Sequence, residues 1–281
     1  MGSRRTDRAG GPPPSPEPLA TPVLDSHTHL DLQEGCDQPG GVAAAITAAR
    51  SVGVDRMVQV GIDVPSSRWA VDVATQHDAV VAAVALHPNE APRLDDLDAA
   101  VREIDTLAAH PRVRAIGETG LDYFRTGEEG RAAQQASFRA HIEIANRRGK
   151  TLVIHDRDAH TDVLRVLDEE GAPEHVVLHC FSGDAEFAKQ CAGRGFLMSF
   201  AGTVTFSNAK PLQEAARAIP QELLLVETDA PFLTPMPYRG RPNAPYLIPL
   251  TVRFLAELRG DDLDQLCAAI SATGEAAFGP W

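Results

Sequence analysis

The 281 residues are enough to bury one large core, arranged as one α/β barrel or as two smaller domains. With 39 Asp and Glu against 26 Lys and Arg, the net charge of −13 argues against a protein that coats duplex nucleic acid through bulk electrostatics. It leaves room for an enzyme that holds one strand end in a local pocket, where metal ions supply the positive charge.

Residues 1–21, rich in Pro, Gly and Arg, read as a disordered leader. Arg4-Arg5 is a twin arginine, but no apolar segment follows it, so no export signal is expected. Met1-Gly2-Ser3-Arg4-Arg5-Thr6 fits the loose myristoylation pattern, with nothing else to support an anchor. From 22 to 281 the chain reads as one domain in which short apolar runs alternate with longer amphipathic ones. Strands are expected over 23–30, 56–62, 79–86, 113–118, 151–155, 176–181, 196–201 and 223–229. Helices are expected over 41–52, 66–77, 94–109, 129–148, 158–170, 184–193, 208–219, 247–259 and 261–278. Several strand candidates are almost wholly apolar, as when both faces of a parallel sheet are covered. Eight strand–helix units predict a closed (β/α)8 TIM barrel. A doubly wound open sheet would want a Gly-rich phosphate loop after an early strand, and none is present.

No apolar run is long enough to span a bilayer. Cys36, Cys180, Cys191 and Cys267 show no CxxC spacing and read as free thiols of a reducing compartment. A cytoplasmic protein is expected, without membrane association or an obligate protein partner.

The first strand, Val23-Leu24-Asp25-Ser26-His27-Thr28-His29-Leu30, places an acid and two histidines at alternate positions. Side chains of a strand alternate faces, so Asp25, His27 and His29 share one side. His87 stands just beyond strand three, Glu118 closes strand four, His155 closes strand five, His179 ends strand six and Asp229 ends strand eight. All fall at carboxyl ends of strands, the face on which barrel enzymes carry their chemistry. Taken singly, His155 or His179 would more often be a satisfied core histidine, Glu118 an ion-pair partner and Asp229 a turn acid. Their joint placement at matching strand ends is what such readings explain poorly.

His27, His29, His155 and His179 with Glu118 and Asp229 make six candidate metal ligands. A mononuclear catalytic site needs about three protein ligands and an open position; six suit two ions if one carboxylate bridges. Asp229 can bind through one oxygen and accept a proton from water with the other. Imidazole-rich ligation favours zinc, manganese or iron over magnesium, and the identity stays open. His87 either stabilises the turn at Pro88 or reaches the substrate, and the second is favoured. His77, His110, His141, His160 and His175 fall in helices or loops and read as surface residues. Positive groups near the same face could fork onto phosphate oxygens. These are Arg157, Arg125 after Asp122-Tyr123-Phe124, and the Tyr238-Arg239-Gly240-Arg241-Pro242-Asn243 loop. Arg157, Arg239, Tyr123 and Arg125 are the candidate substrate-binding residues.

The ordered set Asp25-Ser26-His27-Thr28-His29-Leu30, Leu86-His87-Pro88, Gly117-Glu118-Thr119-Gly120-Leu121-Asp122-Tyr123, His155-Asp156-Arg157, His179-Cys180-Phe181-Ser182-Gly183 and Glu227-Thr228-Asp229-Ala230-Pro231 resembles the TatD family of metal-dependent deoxyribonucleases. The resemblance runs from about residue 22 to the carboxyl end. It implies a TIM barrel with one or two divalent ions (Mg2+, Mn2+ or Zn2+) that hydrolyses DNA phosphodiesters as a 3′–5′ exonuclease on strand ends. It further implies that His27, His29, Glu118 and Asp229 hold one ion, and that Glu118, His155 and His179 hold the other. His87 would then lie near the scissile phosphate, with Asp229, His87 and Glu118 as the catalytic group. Arg157 and the Arg239-Gly240-Arg241-Pro242-Asn243 loop would line the substrate groove. Two competing readings are a hydrolase of a small amide, lactone or phosphoester, since barrel loops change substrate freely, and a non-catalytic scaffold. Arginines at the mouth and an aromatic content of 5% lean against an apolar small-molecule pocket and limit base stacking.

Overall fold

A computed structural model describes residues 10–281. Its strands are β1 (Val23–Thr28), β2 (Val54–Val60), β3 (Val80–Val84), β4 (Val113–Asp122), β5 (Thr151–Arg157), β6 (Val176–Leu178), β7 (Leu197–Phe200) and β8 (Leu224–Val226). They pair in parallel and in chain order, β1 through β8. Just past β8 the sheet closes on β1: Asp229 N donates to His27 O and Ala230 O accepts from His29 N, both at 2.9 Å. Helices α1 (Gly41–Arg50), α2 (Val64–Gln76), α3 (Leu97–Ala108), α4 (Glu128–Arg148), α5 (His160–Glu170), α6 (Ala185–Ala192), α7 (Lys210–Ala218) and α8 (Ile248–Arg259) each follow one strand. The expected TIM barrel is what forms.

The residues explain the elements. β3 is Val-Val-Ala-Ala-Val and buried throughout, as a strand walled by helices outside and side chains inside must be. Helix starts are marked by acids that accept from exposed backbone N–H groups: Asp63 from Ser66, Asp96 from Ala99, Asp184 from Phe187 and Asp262 from Gln265. A ninth helix, α9 (Leu263–Phe278), packs on β1, and at Gly274 a Cβ would lie 2.4 Å from a methyl of Leu24. Any larger residue there would force the buried Leu24 side chain to shift. Among the described residues, no helix is long and apolar enough to cross a membrane, and the four cysteines are unpaired.

Three departures from expectation matter for the site. β4 runs four residues past Glu118, because the β4–β5 register slips between Ile116 and Thr119. Glu118 therefore projects from within the strand and does not close it. β8 stops at Val226, and Asp229 follows in a turn at φ 52°, a left-handed conformation that Asp tolerates better than most residues. Third, His141 is fully buried and not a surface residue. Its Nδ1 donates to Ser137 O at 2.7 Å, and its Nε2 accepts from Leu86 N at 3.1 Å, fixing the chain just ahead of His87. Burial pulls its pKa down to about 4.

The leader divides. Residues 1–9, with the Arg4-Arg5 pair and the myristoylation pattern, lie outside the described residues. Residues 10–21 form no helix, yet they run as a strap along the barrel where disorder was expected. Arg241 donates to the carbonyls of Gly11 and Pro12, Tyr246 to that of Pro13 and Arg253 to that of Pro18, while Leu19 N donates to Val52 O. The composition spoke for disorder, but prolines keep their carbonyls, and three side chains of the barrel satisfy them.

Candidate metal centre

The site begins with β1. Its alternation turns Asp25, His27 and His29 inward, and the buried Asp25 accepts from His27 N, from Thr228 N at 2.9 Å and from Thr228 Oγ1 at 2.5 Å. That carboxylate ties β1 to the turn carrying Asp229, and burial pushes its pKa up to about 7. Gln59 of β2 holds the chain beyond β1, accepting from Leu30 N at 2.7 Å and donating to Asp31 at 2.8 Å.

The six expected ligands converge. His27 Nε2 lies 3.2 Å from His29 Nε2, 3.6 Å from Glu118 Oε2 and 3.9 Å from Asp229 Oδ1. His29 Nε2 lies 3.4 Å from Asp229 Oδ1 and 3.9 Å from Glu118 Oε2. The other Glu118 oxygen, Oε1, is 2.7 Å from His155 Nδ1, 2.8 Å from His179 Nε2 and 3.3 Å from His87 Nε2. One carboxylate thus turns its two oxygens toward two different sets of imidazoles. His87 stands beside the ring through Nε2, and it also serves the turn, since its Nδ1 accepts from Asn89 N at 3.0 Å.

Backbone and carboxylate partners fix the outer ring nitrogens. His29 Nδ1 donates to Val60 O at 3.1 Å, His155 Nε2 faces Asp122 Oδ2 at 3.3 Å, and His179 Nδ1 faces Glu227 Oε1 at 3.3 Å. A proton on each of those atoms leaves the inward nitrogen as a lone pair, the state a metal ligand needs. In His87 the pattern is reversed. Its Nδ1 is the acceptor, so the neutral ring carries its proton on the inward Nε2.

Burial opposes ionisation of Glu118, but the charge of His179 and the bonds from His155 and His179 outweigh it and hold the carboxyl well below its usual range. Asp229 is likewise depressed against burial, chiefly by His29. Despite its burial, His29 is raised to about 9 by Asp229 and Glu118, and Glu118 with Glu227 raises His179 well above an ordinary histidine. His27, buried beside His179, is lowered. The field in the ring favours positive charge.

A divalent cation fits this donor set. Donors around one tetrahedral zinc ion with bonds of about 2.1 Å stand about 3.4 Å apart, and neighbouring inward atoms within each set lie 2.7–3.9 Å apart. His27 Nδ1 and Glu227 Oε2 are buried without a hydrogen-bond partner among the described residues, so the ring has donor capacity left over. Three groups of donor atoms cluster within 4.8 Å: His27, His29 and Asp229; His87, Glu118 and His155; and His27, His179 and Glu227.

The profile of the family described as TatD related DNase matches residues 24–279. The chain belongs to the TatD family. A Mycobacterium tuberculosis protein named an uncharacterized metal-dependent hydrolase TatD is 45% identical over 261 residues, covering 92% of this chain and 98% of that protein. The Bacillus subtilis metal-dependent hydrolase YabD is 36% identical over 258 residues, 91% of this chain and 98% of its own length. The crystal structure of YjjV, a TatD homologue of Escherichia coli, superposes with a TM-score of 0.85 at 24% identity, covering 92% of this chain and 98% of that one. The chain is therefore a metal-dependent hydrolase of the TatD family.

Around this TatD centre the arginines differ in what they engage. Arg241 is taken up by the strap, and Asn243, buried, donates to the carbonyls of Thr228 and Phe232. Arg157 stacks over Phe124 at 4.0 Å and Arg239 over Phe206 at 4.2 Å, and no acceptor takes their guanidinium N–H groups among the described residues. Arg125 is exposed, its backbone N–H donating to Asp122. Tyr123 is turned toward the helices, its hydroxyl donating to Asp162 at 2.6 Å and accepting from Gln135.

Four contributors were not singled out from sequence for what they do. Asp122 and Glu227 orient His155 and His179, Asp25 ties β1 to the Asp229 turn, and Asn89 orients both His87 and Asp122. Asp25, Asp122 and Glu227 stood inside quoted motifs as acids with no assigned partner, which was the available signal; Asn89, two residues past His87, carried none.

Proposed function

We propose that this TatD-family hydrolase cleaves phosphodiester bonds at single-stranded DNA ends, releasing nucleotides in the 3′–5′ direction. The observation that carries the reading is the division of Glu118, whose oxygens face separate imidazole sets 2.7–3.9 Å away. In this reading His27, His29, Glu118 and Asp229 hold one cation, and Glu118, His155 and His179 hold a second. Bound there, divalent ions supply Lewis acidity toward phosphoryl oxygens and lower the pKa of water. Zn2+, Mn2+ and Mg2+ are the candidates.

The side chains divide the remaining work. Asp229, with Oδ1 toward His29 and a side chain more open than that of Glu118, accepts the proton of the attacking water. His87 presents Nε2–H to an oxygen of the scissile phosphate. Arg157 and Arg239, with unengaged N–H groups, bind flanking phosphates, and such local contacts suit a chain whose net charge of −13 gives no general attraction for DNA. The test is the product ladder from 3′-labelled and 5′-labelled single strands with each metal added. Stepwise shortening from the 3′ end is expected. Hydrolysis of small esters or lactones without cleavage of oligonucleotides would overturn the proposal.

A further inference from the structure

The large hydrophobic side chains exposed among the described residues are Leu32, Leu94, Phe124, Phe232 and Met236. They follow β1, β3, β4 and β8, so all of them stand on the face that carries the histidine ring. A chain with few aromatics has kept exposed ones where substrate enters. Phe124 is the most open of them, at 63%.

Its position is built. Asp122 Oδ1 accepts from Phe124 N at 3.1 Å and from Arg125 N at 2.8 Å. Its Oδ2 accepts from Asn89 Nδ2 at 2.9 Å and faces His155 Nε2 at 3.3 Å. One buried carboxylate therefore sets both a histidine of the metal ring and the backbone that presents Phe124. Arg157, two residues past His155, lays its guanidinium over one face of the phenyl ring. The exposure of Phe124 leaves the other face to solvent. A flat aromatic backed by a cation, beside a centre that handles phosphodiesters, matches the π-face of an unpaired base.

Resting on the nuclease reading above, we infer that Phe124, backed by Arg157, is the stacking platform for an unpaired nucleobase adjoining the scissile phosphate. The platform makes an unpaired end the preferred substrate, because a paired base offers its faces only to its own stack. Arg157 keeps its N–H edges for the neighbouring phosphate while its plane supports the ring.

The test uses the full chain and the variants Phe124→Ala and Phe124→Tyr. Phe124 is exposed, so the alanine variant should fold with an unchanged circular dichroism spectrum. On a single strand with an intact terminal nucleotide, KM should rise about tenfold in Phe124→Ala, as expected for one lost base–aromatic stack, with kcat little altered. On a strand whose terminal nucleotide is abasic, wild type and variant should match, and Phe124→Tyr should restore the wild-type KM on the intact strand. A phosphorothioate strand ending in 2-aminopurine should lose emission on binding wild type and keep it with Phe124→Ala. Equal effects of Phe124→Ala on intact and abasic ends, or unquenched 2-aminopurine with wild type, would overturn the platform while leaving the nuclease reading in place. A wild type that hydrolyses an aryl phosphodiester but no oligonucleotide would remove both.

Discussion

On the floor of the ring His179 directs Nδ1 to Glu227 and turns a lone pair inward; at the rim His87 accepts from Asn89 at Nδ1 and turns a proton inward. The floor side chains, His27, His29, Glu118 and His179, are at most 6% exposed, whereas Asp229, His87 and His155 are 16–18% exposed. The difference separates two jobs that the same residue type performs in one cavity. On the floor His29 and His179 have outer nitrogens anchored by Val60 O and Glu227, an arrangement suited to holding a cation, while the more open groups are the ones water can reach, His155 among them with its own anchor on Asp122.

The largest expected effect falls at the rim. Asp229→Asn keeps an oxygen toward His29 but removes the proposed proton acceptor, so kcat on an oligonucleotide should drop by roughly 10²–10⁴-fold. Activity equal to wild type would move the base elsewhere. On the floor, Glu227→Gln should weaken Mn2+ or Zn2+ binding about 10–100-fold in calorimetric titration, because the outer partner of His179 loses its negative charge. His87→Gln should leave that affinity unchanged while lowering kcat. If both variants lost metal equally, the division between floor and rim would not hold.

A smaller effect tests the support beneath the rim. The unfolded chain protonates His141 near pH 6.5, the folded one near pH 4. The unfolded state thus binds the extra proton between these values, so stability is complete above about pH 6.5 and declines as pH falls toward 4. Near pH 5.5 the loss should be about 1 kcal/mol by denaturant unfolding, and His141→Gln should flatten that slope. Smallest is Arg241→Ala, which removes two hydrogen bonds to the strap and should cost about 1 kcal/mol or less. Faster hydrogen exchange across residues 11–19, with the ring unchanged, is the expected sign.

What could be read in advance follows from how local each signal is. Alternation in Asp25-Ser26-His27-Thr28-His29 and the apolar run of β3 depend on the chain's own geometry, and both were legible. The end of β6 just before His179 was legible for the same reason, whereas β5 was expected to close at His155 and runs two residues further, to Arg157. The slip in β4 that places Glu118 inside the strand depends on pairing with β5 and leaves no mark in the residues themselves. His141 looked exterior because α4 is polar overall; its burial comes from meeting the exit of β3. The pairings of Asp122 with His155 and Glu227 with His179 join residues 33 and 48 positions apart. Their acids were visible, their partners were not. Tyr123 and Arg241 read as substrate contacts or loop cations until neighbouring elements claimed them.

The strap has a practical corollary for anyone handling the protein. It rises from Leu19 beside the start of β2 to Gly11 beside Arg241 in the loop after β8, so the strap spans the barrel from its base to the side of the catalytic rim. The carboxyl terminus lies on the opposite side, where Arg114 donates to Pro280 O and Arg56 stacks near Trp281. A polyhistidine tag placed behind Trp281 would stand a full barrel height from the mouth and its cations.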